Sequence, residues 1–152
     1  VCAGPKSILD VEKTRERLET DGVTVLGWKT EEFPAFYSRE SGLSVDQRVD
    51  SAEEVAHMIL ARDMLRMRSA IMVTVPCPES VAIPHEEMEA YITEAQAEAV
   101  RTHVTGKELT PFLLNRLAER TEGRSLAANR ALLLNNARVA AEISCALNEM
   151  ST

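Results

Sequence analysis

The sequence predicts an α/β fold, in which helices flank a parallel-rich sheet (α/β/α) and the carboxyl-terminal part is helical. Residues 23–28 (VTVLGW) and 70–75 (AIMVTV) are continuous apolar segments rich in β-branched side chains, typical of strands buried on both faces. Amphipathic helical segments alternate with these strands, as the crossovers of a parallel sheet require. After residue 84 the patterning is helical throughout. We therefore expect a sheet in the first half and helices in the second.

Turn and cap residues bound the elements of the first half. The predicted strands are residues 1–4, 23–28, 47–50 and 70–75, and the predicted helices are residues 8–20 and 52–66. Gly4-Pro5 and Asp21-Gly22 are turn signals on either side of the first helix. Ser51 is an N-cap for the second helix, with Glu54 as its capping-box partner. Pro76-Cys77-Pro78 ends the last strand.

Three helices are predicted in the second half. Pro84 suits the first turn of a helix that reaches residue 100 or beyond, and Thr110-Pro111 forms an N-cap and N1 pair for a helix to about residue 120. Gly123 interrupts the pattern, and the last helix is expected over about residues 125–147. The apolar stripe of the second helix, residues 52–66, is predicted to consist of Val55, Met58, Ile59 and Leu65.

Composition excludes several classes of protein. The chain has 152 residues, 45% of them hydrophobic, with 24 acidic and 17 basic side chains and a net charge of −7. It is too apolar for a disordered chain, and its acidic balance argues against a binder of polymeric nucleic acid. No apolar run approaches the ~20 residues of a membrane helix. The three cysteines lie far apart, which offers no zinc-like spacing and favours a reducing, intracellular setting. We expect the cytoplasm, with an organelle as the alternative.

Lys6 is the first candidate for chemistry. It follows a predicted strand end and a Gly-Pro turn, and ligand crevices of open α/β folds lie at the carboxyl ends of strands. Partial desolvation there favours the neutral amine, which is the form that makes imines. The alternative is a solvated lysine at the start of a helix, which is the commoner situation.

The loop over residues 33–42 is the second candidate, because it holds three of the six aromatic residues. Phe36 and Tyr37 are placed to wall a pocket, and Arg39 is placed to bind an anion with two nitrogens. The alternative is a loop that packs its aromatic rings onto its own domain.

Asparagines on the last helix form the third candidate. Asn129 and Asn136 are seven residues apart and share a helix face, with Asn135 beside them. Asparagine disfavours helix interiors, so these side chains need partners. One interpretation is that a carboxamide recognises the amide edge of a ligand such as a pyrimidine base, and the other is an interhelical hydrogen bond.

With these segments in place, the chain resembles the pseudouridine-5′-phosphate glycosidase family, also called indigoidine synthase A-like proteins. The matching stretches are, in order, residues 1–10 (VCAGPKSILD), 32–42 (EFPAFYSRESG), 106–114 (GKELTPFLL), 125–129 (SLAAN), 135–138 (NNAR) and 140–143 (AAEI). Long motifs in the right order are a specific signal. The resemblance implies that residues 1–152 are the carboxyl-terminal half of a single domain, whose amino-terminal half is absent from this chain.

The resemblance also implies an activity. The family is a lyase with glycosidase activity, and it cleaves the C–C bond of pseudouridine 5′-phosphate to give uracil and ribose 5-phosphate. By position Lys6 resembles the family's lysine, which forms a Schiff base with the ring-opened ribose. Asn129 matches the family's substrate-binding asparagine, and Asn136 is a second candidate for substrate binding.

Other parts of the enzyme are expected elsewhere. The resemblance places a glutamate acid/base and the aspartate ligand of a divalent metal, Mn²⁺ in the family, in the missing amino-terminal half, so this chain holds no metal ligand and is catalytically incomplete alone. A homotrimer is implied. Two alternatives stay open, namely a related lyase for another sugar phosphate, and a non-catalytic fragment or interaction module.

Overall fold

Three parallel strands form the sheet in a computed structural model that describes residues 1–150. The strands are β1 (Thr24–Trp28), β2 (Gln47–Val49) and β3 (Ile71–Thr74), in the spatial order β2-β1-β3. Cys2 forms a parallel bridge to Thr74, on the side of β3 away from β1. The Cys2 N–H donates to the Val73 carbonyl over 2.9 Å, and the Val75 N–H donates to the Cys2 carbonyl over 2.7 Å. The start of the chain therefore extends the sheet, as the sequence predicted.

Within residues 1–150, five α-helices flank this sheet, which confirms the predicted fold class. They are α1 (Val11–Thr20), α2 (Ala52–Met64), α3 (His85–Arg101), α4 (Leu109–Arg120) and α5 (Arg124–Met150). Helices α2 and α5 cover one face of the sheet through a buried apolar cluster. The members of this cluster are Leu26, Trp28, Val49, Val55, Val73, Val75, Val139 and Ile143. No helix within residues 1–150 has the length and apolar character needed to cross a bilayer.

A second buried cluster lies beyond the carboxyl ends of the strands. It joins the chain start, the loop after β1, the segment after β3, and helices α3, α4 and α5. Its members are Ala3, Tyr37, Cys77, Ile83, Met88, Ile92, Leu117, Ala128 and Leu132. This packing holds the Lys6 turn and the amino-terminal part of α5 against one shared core, at the end of the sheet where α/β proteins bind ligands.

The starts of two helices, α1 and α4, differ from the prediction for local reasons. Helix α1 begins at Val11 rather than residue 8, because the Asp10 carboxylate accepts the Lys13 N–H over 2.9 Å and caps the helix there. Helix α4 begins at Leu109, since a short 3₁₀ turn over Gly106–Glu108 runs directly into it. Thr110 therefore lies inside the helix and is not its cap.

Helix α2 confirms one prediction and corrects two. The Ser51 hydroxyl accepts the Glu54 N–H over 3.3 Å, as expected of an N-cap. A capping box requires the Glu54 carboxylate to accept the Ser51 N–H. The carboxylate instead accepts the Asp50 N–H over 2.8 Å. Leu65 is not part of the apolar stripe, because α2 ends at Met64 and the Leu65 side chain is 72% exposed.

Candidate active site at the carboxyl edge of the sheet

A tight backbone contact positions the turn that carries Lys6. Gly4 has a left-handed φ of +87°, and a Cβ atom at this position would lie 1.9 Å from the Pro34 carbonyl oxygen. The Phe36 N–H also donates to the Ala3 carbonyl over 3.0 Å. Only glycine fits this close approach, so the loop after β1 and the Gly4 turn are locked together just beyond the strand ends.

Lys6 itself is exposed, and its side chain forms no hydrogen bond or ion pair with any residue of the described range 1–150. The Leu9 N–H donates to the Lys6 carbonyl over 2.8 Å, which fixes the backbone of the turn. Of the two interpretations offered by the sequence, the described residues therefore agree with the solvated lysine at the start of a helix.

A cavity of about 500 Å³ begins next to Lys6. The turn over residues 7–12 forms one wall, and residues of α3 form the opposite wall. The Ser7 hydroxyl is buried in the turn without a hydrogen-bond partner among the described residues. Asp10, Glu12 and Glu89 also line the cavity, so its local charge is unfavourable for a phosphate group.

The aromatic residues of the 33–42 loop belong to the core. Phe33 is fully buried and Tyr37 is 4% exposed, and the Phe36 and Tyr37 rings pack edge to face with centroids 4.8 Å apart. The interpretation that the loop packs its aromatics onto its own domain is therefore the one that the structure supports. Arg39, in the same loop, is exposed, and one of its terminal nitrogens donates to the Cys77 carbonyl over 2.7 Å.

The asparagines of α5 differ in their environments. Asn129 is half-buried, and its carboxamide forms no hydrogen bond with another residue in the range 1–150. The Asn136 Oδ1 atom is buried and has no hydrogen-bond partner among these residues. Asn135 is satisfied in part, because its Oδ1 atom accepts from Arg138 over 3.3 Å. Ala128, next to Asn129, packs in the same core cluster as Ala3, which precedes the Lys6 turn.

No group of three or more His, Cys, Asp or Glu side chains in residues 1–150 is placed to hold a metal ion. We therefore assign no chemistry to a metal within these residues.

Sequence reasoning named Arg39 as a candidate anion ligand but missed the two cations that accompany it at this edge, Lys29 and Arg138. Lys29 directly follows β1, and it lines a cavity together with Arg39, Arg138 and Asn135. The position of Lys29 at a strand end was a usable signal, because strand ends of parallel sheets line ligand crevices. Asn135 and Arg138 are distant in sequence from Lys29 and Arg39, so no spacing rule brings the four residues together.

Cys77 provides a test of the packing at this edge. Its side chain is fully buried, and burial raises the pKa of the thiol to about 11. The thiolate is the reactive form, so we expect iodoacetamide at pH 8 to alkylate the exposed Cys145 and to spare Cys77. Peptide mass mapping measures both sites, with the urea-unfolded chain as the control. Equal rates at Cys77 and Cys145 in the folded chain would contradict this packing.

The parallel sheet, the covering helices and the polar side chains beyond the strand ends define an α/β protein with its candidate ligand site at the carboxyl edge. Comparison with known families agrees. Residues 1–146 match the family described as indigoidine synthase A like protein, and the chain belongs to this family.

Two relatives show how far the similarity extends. A pseudouridine-5′-phosphate glycosidase of Sorangium cellulosum is 55% identical over 150 residues, which are 99% of this chain and 47% of that protein. A pseudouridine-5′-phosphate glycosidase of Legionella pneumophila is 53% identical over 146 residues, which are 96% of this chain and 47% of that protein. The chain therefore spans about half the length of these relatives.

Solved structures share the fold. The crystal structure of a prealnumycin C-glycosynthase in complex with ribulose 5-phosphate matches with a TM-score of 0.91 and 36% identity, over 98% of this chain and 49% of that one. An indigoidine synthase A-like protein from Thermotoga maritima matches with a TM-score of 0.84 and 44% identity, over 96% of this chain and 47% of that one.

Proposed function

We propose that this chain is the carboxyl-terminal half of a pseudouridine-5′-phosphate glycosidase, which converts pseudouridine 5′-phosphate and water to uracil and ribose 5-phosphate. The observation that carries the proposal is the identity of 53% and 55% to relatives named for this activity, over nearly the whole chain. The structural similarity to a C-glycosynthase with a bound sugar phosphate is consistent with chemistry at a carbon–carbon glycosidic bond.

In the proposed reaction the Lys6 amine is the nucleophile. Its nitrogen attacks C1′ of the substrate, the C1′–O4′ bond breaks, and O4′ takes up a proton as the ribose ring opens. The nitrogen lone pair then forms a C1′=N double bond while the C1′–C5 bond to uracil breaks, and C5 of uracil accepts a proton. Water hydrolyses the resulting Schiff base, which releases ribose 5-phosphate and regenerates Lys6. Covalent catalysis of this kind divides one difficult bond cleavage into easier steps.

Asn129 and Asn136 are the proposed substrate-binding residues of this half. A carboxamide presents one donor group and one acceptor, which matches the alternating donors and acceptors of the uracil imide edge. The carboxamide of Asn129 is free of hydrogen bonds to described residues, and the buried Oδ1 atom of Asn136 lacks a partner among them. Burying a polar atom without a hydrogen-bond partner costs free energy. In this proposal a bound ligand or another polypeptide segment supplies the missing partner.

We further infer a cytoplasmic homotrimer in which each Lys6 site is completed by an amino-terminal half and Mn²⁺. Three leucines of α5, Leu126, Leu133 and Leu134, are 62%, 59% and 66% exposed, and such side chains favour burial against other polypeptide. All three cysteines are free, which suits a reducing compartment. Neither polymeric nucleic acid nor a membrane is part of the proposal.

The activity is tested on this chain supplied with an amino-terminal half, either its own or that of the Legionella relative, in the presence of Mn²⁺. We call this preparation the complemented protein. Release of uracil from pseudouridine 5′-phosphate is expected. Cleavage of another sugar phosphate in its place would favour the related-lyase alternative. A folded complemented protein without activity on any of these substrates would favour a non-catalytic module.

Changing Asn129 to alanine should lower kcat/KM for pseudouridine 5′-phosphate in the complemented protein about 10–100-fold, because one hydrogen-bonding partner of the base is lost. The affinity for ribose 5-phosphate, which lacks the base, should stay within about twofold. Steady-state kinetics and product inhibition measure the two quantities. Asn115→Ala, at an exposed position of α4, is the matched control. Equal losses for nucleotide and ribose 5-phosphate would contradict recognition of the base.

A further inference from the structure

We propose that the cavity lined by Lys29, Arg39 and Arg138 is a second site, which binds a small dianion of the phosphate class. The cavity has a volume of about 260 Å³ and lies beyond the carboxyl ends of β1 and β3. Asn135 adds a carboxamide to the lining, and Trp28 and Pro76 supply apolar walls. We call it the cationic cavity. None of Lys6, Asn129 and Asn136 lines it, so the proposal is independent of the glycosidase reaction.

Charge is the first argument. Three cationic side chains line one small cavity, and no Asp or Glu is part of that lining. Lys29 and Arg39 form no ion pair within residues 1–150. Arg138 has Glu142 at 3.7 Å, but both side chains are well exposed and such a pair is weak. The cavity therefore concentrates positive charge in a chain whose net charge is −7.

The second argument is that the cations are held before any ligand binds. One terminal nitrogen of Arg39 donates to the Cys77 carbonyl over 2.7 Å, which orients the guanidinium and leaves its other N–H groups for an anion. The Lys29 N–H donates to the Val49 carbonyl over 2.8 Å, and its Nζ lies 5.6 Å from the centre of the Trp28 ring. Arg138 donates to the Asn135 Oδ1 atom over 3.3 Å. The Asn135 oxygen is therefore occupied, and its NH₂ group is the part of the carboxamide that can donate to an anion.

Size identifies the ligand class. Pockets for drug-sized molecules usually measure about 300–1,000 Å³, and the cationic cavity is smaller than that range. Its volume suits an inorganic phosphate or a short phosphorylated metabolite rather than a nucleotide. Guanidinium groups match the geometry of such anions through paired N–H donors, and Lys29 adds a compact charge.

Trp28 provides a direct probe of the site, because it is the only tryptophan of the chain and it lines the cationic cavity. The 152-residue chain is titrated with inorganic phosphate at constant ionic strength, with chloride as the replaced anion. A saturable change in Trp28 fluorescence is expected. Isothermal titration calorimetry repeats the measurement independently of the ring, because substitutions beside Trp28 can alter its emission directly.

Lys29→Gln and Arg39→Gln should each weaken phosphate binding about tenfold or more, since each removes one charge-assisted contact. Arg101→Gln, at an exposed position at the end of α3, should bind as the unaltered chain does. Far-UV circular dichroism establishes that each variant is folded. The Lys29 side chain forms no hydrogen bond with a described residue, so Lys29→Gln is expected to stay folded. If Arg39→Gln unfolds, phosphate binding by Lys29→Gln is the test of the cationic cavity.

Three results would overturn the proposal. One is a linear, unsaturable response to phosphate, and another is equal affinity in Lys29→Gln and the unaltered chain. The third is phosphate binding by this chain that disappears in the complemented protein, which would mean that carboxylates of another polypeptide segment fill the cationic cavity. None of these results depends on turnover. Failure of the phosphate-site proposal can therefore be told apart from failure of the glycosidase proposal.

Discussion

In the complemented protein, Lys6→Ala should lower the turnover of pseudouridine 5′-phosphate at least about a thousandfold, because the proposed nucleophile is removed. The variant protein should keep its fold. The fold should persist because the Lys6 side chain is exposed and contacts no hydrogen-bonding partner among the described residues. Uracil release measures turnover. Borohydride trapping with ribose 5-phosphate, followed by peptide mass mapping, should place a reduced sugar-phosphate adduct on Lys6 in the unaltered protein and none in the variant.

Two further variants make the Lys6 prediction specific. Lys6→Arg retains the positive charge but forms no Schiff base, so it should be as inactive as Lys6→Ala. Lys107→Ala, at an exposed position in the 3₁₀ turn before α4, should leave turnover unchanged. Substantial activity in Lys6→Arg would show that the lysine acts as a cation rather than as a nucleophile. Near-normal activity in Lys6→Ala would refute both roles.

Gly4→Ala should be the most destabilising of the substitutions considered for this edge, with a loss of about 2–5 kcal/mol in the free energy of unfolding. The new Cβ would meet the Pro34 carbonyl oxygen at 1.9 Å, and the φ of +87° is unfavourable for any L-residue. Urea unfolding measures the loss. Turnover of the complemented protein should fall as well, because Lys6 follows Gly4 by two residues.

Gly22→Ala separates the two contributions to the Gly4 prediction. Gly22 also has a positive φ, +67°, but no atom lies within 4 Å of the position that its Cβ would take. We expect a loss of only about 1–2 kcal/mol there, from backbone strain alone. Equal losses in Gly4→Ala and Gly22→Ala would show that the contact with Pro34 relaxes freely, and that the turn is less rigid than the structure indicates.

Local sequence signals were sufficient where one interaction dominates. The strands at residues 23–28 and 70–75 were predictable because a run of β-branched apolar side chains suits burial on both faces of a parallel sheet. The Ser51 cap was predictable because its hydroxyl satisfies an N–H three residues away. The start of α1 was missed because Ile8 and Leu9 extend the apolar pattern back beyond Asp10, whose carboxylate caps the helix.

The amino-acid sequence alone was enough for the order of strands and helices, for the family, and for Lys6 and Asn129 as candidates, because those depend on local patterns and on motifs that are contiguous in the chain. Tertiary packing was needed to show that Tyr37 belongs to the core and that the Asn136 oxygen is buried without a partner. It was also needed for the cationic cavity, because its residues come from the end of β1, the loop after it and α5. Such side chains meet only when the sheet and its helices have packed, since no local interaction connects them.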